Sequence, residues 1–454
     1  MARLFAAIAL VLSSFNCGGA WAQSGAQSSD QLLGDLEALK AVVEAQARRI
    51  QALEAAAENE SERLEATAPA EPIDTAGPSP DRIGRFPDDA IVITGDFPGS
   101  IRIPGRDGSI RIGGFIRADI IHDTDSLGFE DLVVNRTIPL DGDAGAGDGQ
   151  TRLTARLSRV NFDFRRQTRL GAFRTFIEAD FFGGGDEFNS NYEFRLRHAA
   201  AQLGDIYVGQ WWSSFTDVAS FPESADFAGP MGNIAIRQPG IRWMSDVGNG
   251  WRLGAAVENP AGDLSGPEIS LASDSVPDLI GYAQLTRNWG RIKIAGLGRR
   301  LETEEASAWV GGVNVSGRIP LKFIGDRDNI TFQAQTGEGI TRYFAGFAGA
   351  GLDGSVNGQG AIDPTGVLSG YLAYQHWWSD TLRSTAMAGA MDLDLGSEAA
   401  PESFDNGEYY SANLFWTPVN GATLGIDLIY ATQETRSGRK GDGLRFQGSA
   451  RFDF

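Results

Sequence analysis

The residues best equipped for chemistry in this chain are arginines on one side of an alternating stretch. In "RLSRVNFDFRRQTRLGAFRTFIEADFF", Arg156 to Phe182, Arg159, Asn161, Asp163 and Arg165 alternate with Ser158, Val160, Phe162 and Phe164. After a polar gap, Arg174, Glu178 and Asp180 alternate with Phe173, Thr175, Ile177, Ala179 and Phe181. A period of two belongs to a β-strand, so the charges share one face and the apolar residues the other. A guanidinium offers a planar fork of donors that takes a carboxylate or phosphate two-pronged. The bias extends through the chain. Of 39 basic residues only Lys40, Lys293, Lys322 and Lys440 are lysine, although GC-rich coding alone would also favour arginine. Acids on the same face could instead neutralise the arginines and merely stiffen the wall.

Bond-breaking chemistry has a poorer base. Only His122, His198 and His376 could serve as the general base of a triad, and no G-x-S-x-G elbow occurs. His198, in "RLRHAAA", has no serine nearby in sequence. The only cysteine, Cys17, lies in the N-terminal segment, which leaves no disulfide or thiolate metal site beyond it. "DGDAGAGDG" (141–149) offers hard oxygens but lacks the glutamate of a calcium loop and reads as a solvated loop. No catalytic residue, metal or cofactor is expected. A net charge of −20 and a pI near 4.6 argue against nucleic acid, whose phosphates need a basic surface.

The elements that must position these residues come in a clear order. Arg3, the apolar "LFAAIALVL" (4–12) and Ala20-Trp21-Ala22 form a secretory signal, 1–22. Over 30–66, Leu32, Leu36, Leu39, Val43, Gln46, Ile50, Leu53, Ala57, Glu60 and Leu64 keep an alternating 4–3 spacing, a coiled-coil seam with polar Gln46 and Glu60 that implies several chains meeting. Residues 67–108 begin with "TAPAEPIDTAGPSPDRIGRFPDDA", a Pro-rich extended linker. From 109 to 454 the period is two, and sixteen strands are expected, from 109–121 to 442–454. Short turns such as "RQTRLG" (166–171), Gly204-Asp205 and "NWG" (288–290) alternate with long connections such as 122–150, 212–235 and 340–368. No stretch of 18 apolar residues occurs, so a membrane would be crossed as a barrel. The sorting of short and long connections is that of an outer-membrane barrel with tight periplasmic turns. The last strand, "GLRFQGSARFDF", ends the chain on Phe454, on the same face as Leu444, Phe446 and Phe452. The fold class is thus all-β, a 16-stranded antiparallel transmembrane barrel preceded by a periplasmic coiled-coil helix.

Signal, short coil, linker and barrel, in that order, resemble the DcaP-like trimeric porins. Within the barrel, "SIRIGGFIRADII" (109–121), "TARLSRVNFDFR" (154–165), "FRTFIEADFFGG" (173–184), "FRLRHAAAQLGDIYVGQWWSSFTD" (194–217) and "RQPGIRW" (237–243) look like segments of that family. The resemblance implies a homotrimer in the bacterial outer membrane that admits small anions such as dicarboxylates. It also implies contact with lipid and lipopolysaccharide, and a C-terminal Phe454 read by the barrel assembly machinery.

With apolar faces toward lipid, the inward faces carry Arg111, Arg117, Arg159, Arg165, Arg174, Arg195, Arg197 and Arg242, joined by Arg252, Arg291, Lys293 and Arg299. This basic band would attract anions in a water-filled bore. The resemblance further implies that the 212–235 connection folds into the barrel and narrows it. Phe215, Phe221 and Phe227 would then anchor this connection to the wall, with Asp217, Glu223 and Asp226 facing the arginines. An alternative role is a structural tether between outer membrane and cell wall, with a closed or general-diffusion barrel.

Overall fold

The computed structural model describes residues 94–103, 107–129, 131–186, 190–266 and 274–454. The expected signal, the coil and most of the linker lie outside the described residues. Sixteen strands run antiparallel. They are β1 (Ser109–Asp123), β2 (in two pieces, Gln150–Thr154 and Arg159–Thr168), β3 (Gly171–Asp180), β4 (Arg195–Leu203), β5 (Ile206–Trp212), β6 (Arg237–Gly248), β7 (Trp251–Glu258) and β8 (Asp278–Arg287). They continue with β9 (Gly290–Glu302), β10 (Ser307–Pro320), β11 (Asn329–Glu338), β12 (Gly366–Trp377), β13 (Leu382–Asp394), β14 (Phe404–Val419), β15 (Ala422–Thr435) and β16 (Lys440–Asp453). Each pairs with the next, and β16 closes on β1 from Phe115↔Asp453 to Asp123↔Arg445. Closure is what hydrocarbon demands, because an unpaired peptide group there costs several kcal/mol.

The faces follow the alternation. On β1, Ile112, Ile116 and Ile120 point outward and are more than half exposed, while Arg111 and Arg117 point inward. β2 is broken at Ala155–Ser158. There Ser158 Oγ accepts from Arg117 N (3.0 Å) and donates to Arg117 O (3.2 Å), standing in for the missing strand partner. The period of two continues across 151–165 and hides this break from a reading of the sequence.

The interior is not simply wet. The connections 124–149, 213–236 and 339–365 turn into the barrel from its outer end. Leu127, Val133, Ile138, Phe215, Met231, Ile234, Ile340, Tyr343, Phe344 and Phe347 bury themselves there against inward Met387, Met391, Tyr409 and Ile429. Part of the lumen is therefore a packed hydrophobic core, with a cavity of about 1030 Å³ toward β1–β6 and one of about 440 Å³ beside β10–β14. The loop of 259–277 joins this packing: Leu264–Ser265 pairs parallel with Gly354–Ser355, and Asp263 accepts from the backbone N–H groups of Gly349, Ala350 and Gly351. Burial of the Asp263 carboxyl raises its pKa.

Candidate functional site

β1–β4 place their inward arginines side by side because antiparallel register puts every second residue of neighbouring strands at one height. The result is a cavity of about 1030 Å³ inside the barrel. Nine arginines line it: Arg111, Arg117, Arg136, Arg159, Arg174, Arg195, Arg197, Arg237 and Arg451. The acids lining it are Glu178 and Asp226.

The arginines differ in what already holds them. Arg117 grips Asp119 two-pronged at 2.7–3.0 Å and also donates to Ala225 O. Arg174 forks onto Asp163 (2.9 Å) and Arg195 onto Asp180 (2.7 and 2.9 Å). Arg197, 1% exposed, bridges Glu178 and Asp180 at 2.7 Å each. Arg451 holds Asp453 and stacks on Phe115 at 4.0 Å. Arg159 is looser, 3.8 Å from Glu178, with its guanidinium over the rings of Phe115 (5.1 Å) and Phe227 (5.3 Å). Arg111 has no hydrogen bond or ion pair among the described residues, and the Nε of both Arg111 and Arg159 is buried without a partner. Among the described residues, Arg237 has only the ring of Trp212, at 4.6 Å.

Two of the expected wall residues lie outside this cavity. Arg165 is committed to Asp163 (2.6 Å) and covered by the Phe97 ring at 4.4 Å. Arg242 packs over Tyr207 at 4.9 Å, nearer the tight-turn end of β6. The remaining cations of the expected band hold structure. Arg291 pairs with Asp217, Lys293 donates to the carbonyls of Ser214 and Thr216, and Arg299 is fully buried between Asp278 and Asp353. Arg252 pairs with exposed Asp246.

The 213–236 connection crosses the interior and is bonded to the far wall. Phe215 is fully buried, edge-on to Tyr343 at 5.6 Å. Asp217 accepts from Arg291 Nη1 and Ser316 Oγ, both 2.7 Å. Burial alone would raise the Asp217 carboxyl, but these donors hold it below the usual range. Glu223 accepts from Arg383 Nε (2.6 Å) and Gln375 Nε2 (2.9 Å). Asp226, 3% exposed, accepts from Val133 N (3.2 Å) and Ala228 N (3.3 Å), and Tyr409 Oη lies 3.3 Å away. Burial pushes Asp226 up to about 6. Asp217 and Glu223 thus take donors from the far wall and Asp226 from backbone N–H groups and Tyr409, so none of the three pairs with the arginine wall. That wall instead meets Phe227, whose ring lies 5.2–5.9 Å from the guanidinium carbons of Arg159, Arg195 and Arg197. A ring face suits a cation without cancelling its charge.

Sequence reading passed over Arg136, Arg237 and Arg451 as wall residues. Arg136 belongs to a loop that the alternation does not cover. Arg237 is the first residue of β6 and shares the parity of outward Ile241 and Trp243, so alternation assigns it to the other face. Arg451 was visible on the polar face of the last strand. His198 also lines the cavity, beside Trp211 at 4.4 Å, with Nδ1 unpartnered. Among the described residues no group of three His, Cys, Asp or Glu is gathered as for a metal; Asp143 of the "DGDAGAGDG" loop pairs with Arg439.

The sequence profile of a family described as the Porin subfamily matches residues 99–447. Among solved structures, the outer membrane channel DcaP of Acinetobacter baumannii is similar over 76% of this chain and 97% of its own, with 21% identity and a TM-score of 0.69. An anion-selective porin from Comamonas acidovorans covers 76% of this chain and all of its own at 11% identity and a TM-score of 0.51. OmpT of Vibrio cholerae covers 78% and 99%, at 12% identity and 0.50. At these identities the likeness is one of fold. No curated protein sequence matches.

Proposed function

The chain belongs to the Porin subfamily and is a passive channel of the bacterial outer membrane, and on that premise we propose that it prefers small anions, with dicarboxylates as the fitting class. The observation that carries this reading is the imbalance of the cavity: nine arginines line it against two acids. The acids behind the wall, Asp119, Asp163, Asp180 and Asp453, cancel part of that charge. Arg111 and Arg237 keep theirs, and Arg159 is only loosely matched. Arg159 stands opposite Phe115, four residues up β1 from Arg111, roughly 13 Å of strand. Two flexible guanidiniums at that spacing suit a solute with an anionic group at each end. Charge in the bore with weak capture lets a solute enter and leave. Phe227 narrows the passage opposite this wall.

A homotrimer is part of the proposal. It rests on the coil seam of 30–66 and on the uneven height of the barrel wall, argued below. The outward apolar faces would meet lipid and lipopolysaccharide. Phe454, 63% exposed with its backbone paired to Gly114, is free for reading by the assembly machinery.

The test is the reversal potential in planar bilayers under a salt gradient, for wild type and for Arg159→Gln with Arg237→Gln. Anion preference in wild type that falls in the double variant supports the reading. A cation-selective wild type overturns it.

A further inference from the structure

We propose that Phe97, with the turn of residues 94–103 just before the barrel, forms the periplasmic rim of the pore and is a selectivity-determining residue; this rests on the channel reading above. The closing pair β1–β16 leaves a gap. β16 ends opposite Phe115, and Phe454 adds only the exchange with Gly114 (3.1 and 3.2 Å), so the β1 edge from Ser109 to Gly113 has no neighbour from β16. Ile101 and Arg102 fill part of that edge, paired with Ile110 and Ser109. The chain before them folds back on itself. Gly95 N donates to Ser100 O (2.8 Å), Ser100 Oγ donates to Phe97 O (2.6 Å), and Asp96 is tied to Ser109 Oγ at 2.9 Å.

This turn lies on the lumen side. Phe97 covers the guanidinium of Arg165, whose carboxylate partner Asp163 also holds cavity-lining Arg174. Gly99, at φ +72°, lies against Arg111, where an added Cβ would stand 3.4 Å from Arg111 Cδ. Glycine there answers both the left-handed backbone and the close approach. The ring covers one face of Arg165, whose side chain stays 42% exposed, while Arg111 beside the same turn has no ion pair among the described residues. A ring that shields one charge and narrows the mouth acts on both conductance and selectivity.

The experiment uses the full chain in planar bilayers under a salt gradient. The variants are Phe97→Ala, the same with Arg165→Gln, and Ser100→Ala with Ser109→Ala, which unpins the turn without touching the ring or changing any charge. Expected results are a rise in single-pore conductance for Phe97→Ala and a reversal potential shifted toward stronger anion preference. Adding Arg165→Gln should abolish the selectivity shift and keep the conductance rise. The unpinned turn should behave as Phe97→Ala, with faster amide exchange at 109–113. Conductance and reversal potential equal to wild type in all three, with heat-modifiable gel migration intact, overturn the proposal. Failure of the anion reading would show in the wild-type trace itself, whereas this proposal is read only from the differences.

Discussion

A guanidinium gripped by a carboxylate or covered by a ring offers a passing solute less of its charge, and Arg165 is both, its Asp163 being shared with Arg174. That distinction separates Arg111, Arg159 and Arg237 from Arg165 and Arg197. An anion about 7 Å away in water gains about 0.6 kcal/mol from one unpaired charge, so each loss lowers anion occupancy roughly threefold. Arg159→Gln should therefore reduce anion preference measurably, while Arg165→Gln alone should leave it nearly unchanged; equal effects would refute the ranking. Arg197→Ala should act on stability, by about 1.5–3 kcal/mol, because it removes the charged hydrogen bonds to Glu178 and to buried Asp180, which Arg195 then holds alone. Alternation along the strands told which arginines point inward. It could not tell which would be neutralised, because that depends on cross-strand partners such as Asp163 between Arg165 and Arg174. Asp226 adds a pH dependence. Its folded pKa of about 6 lies above the unfolded value near 4, so the folded state holds the extra proton between them. Its contribution to stability is present below about pH 4 and is lost as pH rises to about 6. Asp226→Asn keeps an acceptor for Val133 and Ala228 and should remove this part of the loss. The check is to compare how much melting temperature drops between pH 4.5 and 7 in wild type and variant. An equal drop would sink the assignment.

At the scale of elements, the sequence was legible wherever one face met lipid. The strands expected at 206–211, 279–287 and 422–434 fall within a residue of β5, β8 and β15. β12 and β14 start earlier than the expected 369 and 408 because their ladders run on past the apolar band, where outward Asp392, Asn406 and Glu408 erase the alternation. The connections were legible by length alone. Their packing into a core, with Arg299 buried between Asp278 and Asp353, brings together residues from three separate segments, and no local pattern announces that. The 213–236 connection is held the same way, by side chains of β9–β15 reaching its backbone: Asn314 to Phe215 O, Tyr371 to Ser220 O, Asn413 to Glu223 O. Asp217 adds a buried, charged tie. Asp217→Ala leaves Arg291 and Ser316 without their acceptor, a cost of about 1.5–3 kcal/mol for a charged hydrogen bond. Proteolysis of intact outer-membrane barrels should then cut within 213–236 faster, and single-pore conductance should become noisier. Unchanged protection of this loop would show that Asp217 is not what pins it.

For the whole molecule, the height of the wall decides what each side can face. β5 has 7 residues and β4 has 9, whereas β14 has 16 and β15 has 14. Seven residues span roughly 23 Å along the strand, and less once tilted, which falls short of an apolar band about 25 Å tall. The low side also lacks the girdle that marks a lipid boundary. Outward Trp243, Trp251, Trp289, Trp309, Tyr410, Trp416 and Tyr430 all lie on or beside β6–β15, while β4 and β5 present outward Leu196, Leu203, Ile206 and Val208. A short aliphatic wall without its own girdle fits against a second copy of itself, and three copies would cover all three low walls. Val208→Arg should therefore convert the trimer to monomers on non-denaturing gels and in mass measurements in detergent, with the barrel still folded. Ile426→Arg, on the tall side, should cost insertion about 2–4 kcal/mol at mid-membrane and leave subunit association intact. If Ile426→Arg separates the subunits and Val208→Arg does not, the interface lies on the tall wall and this placement is wrong.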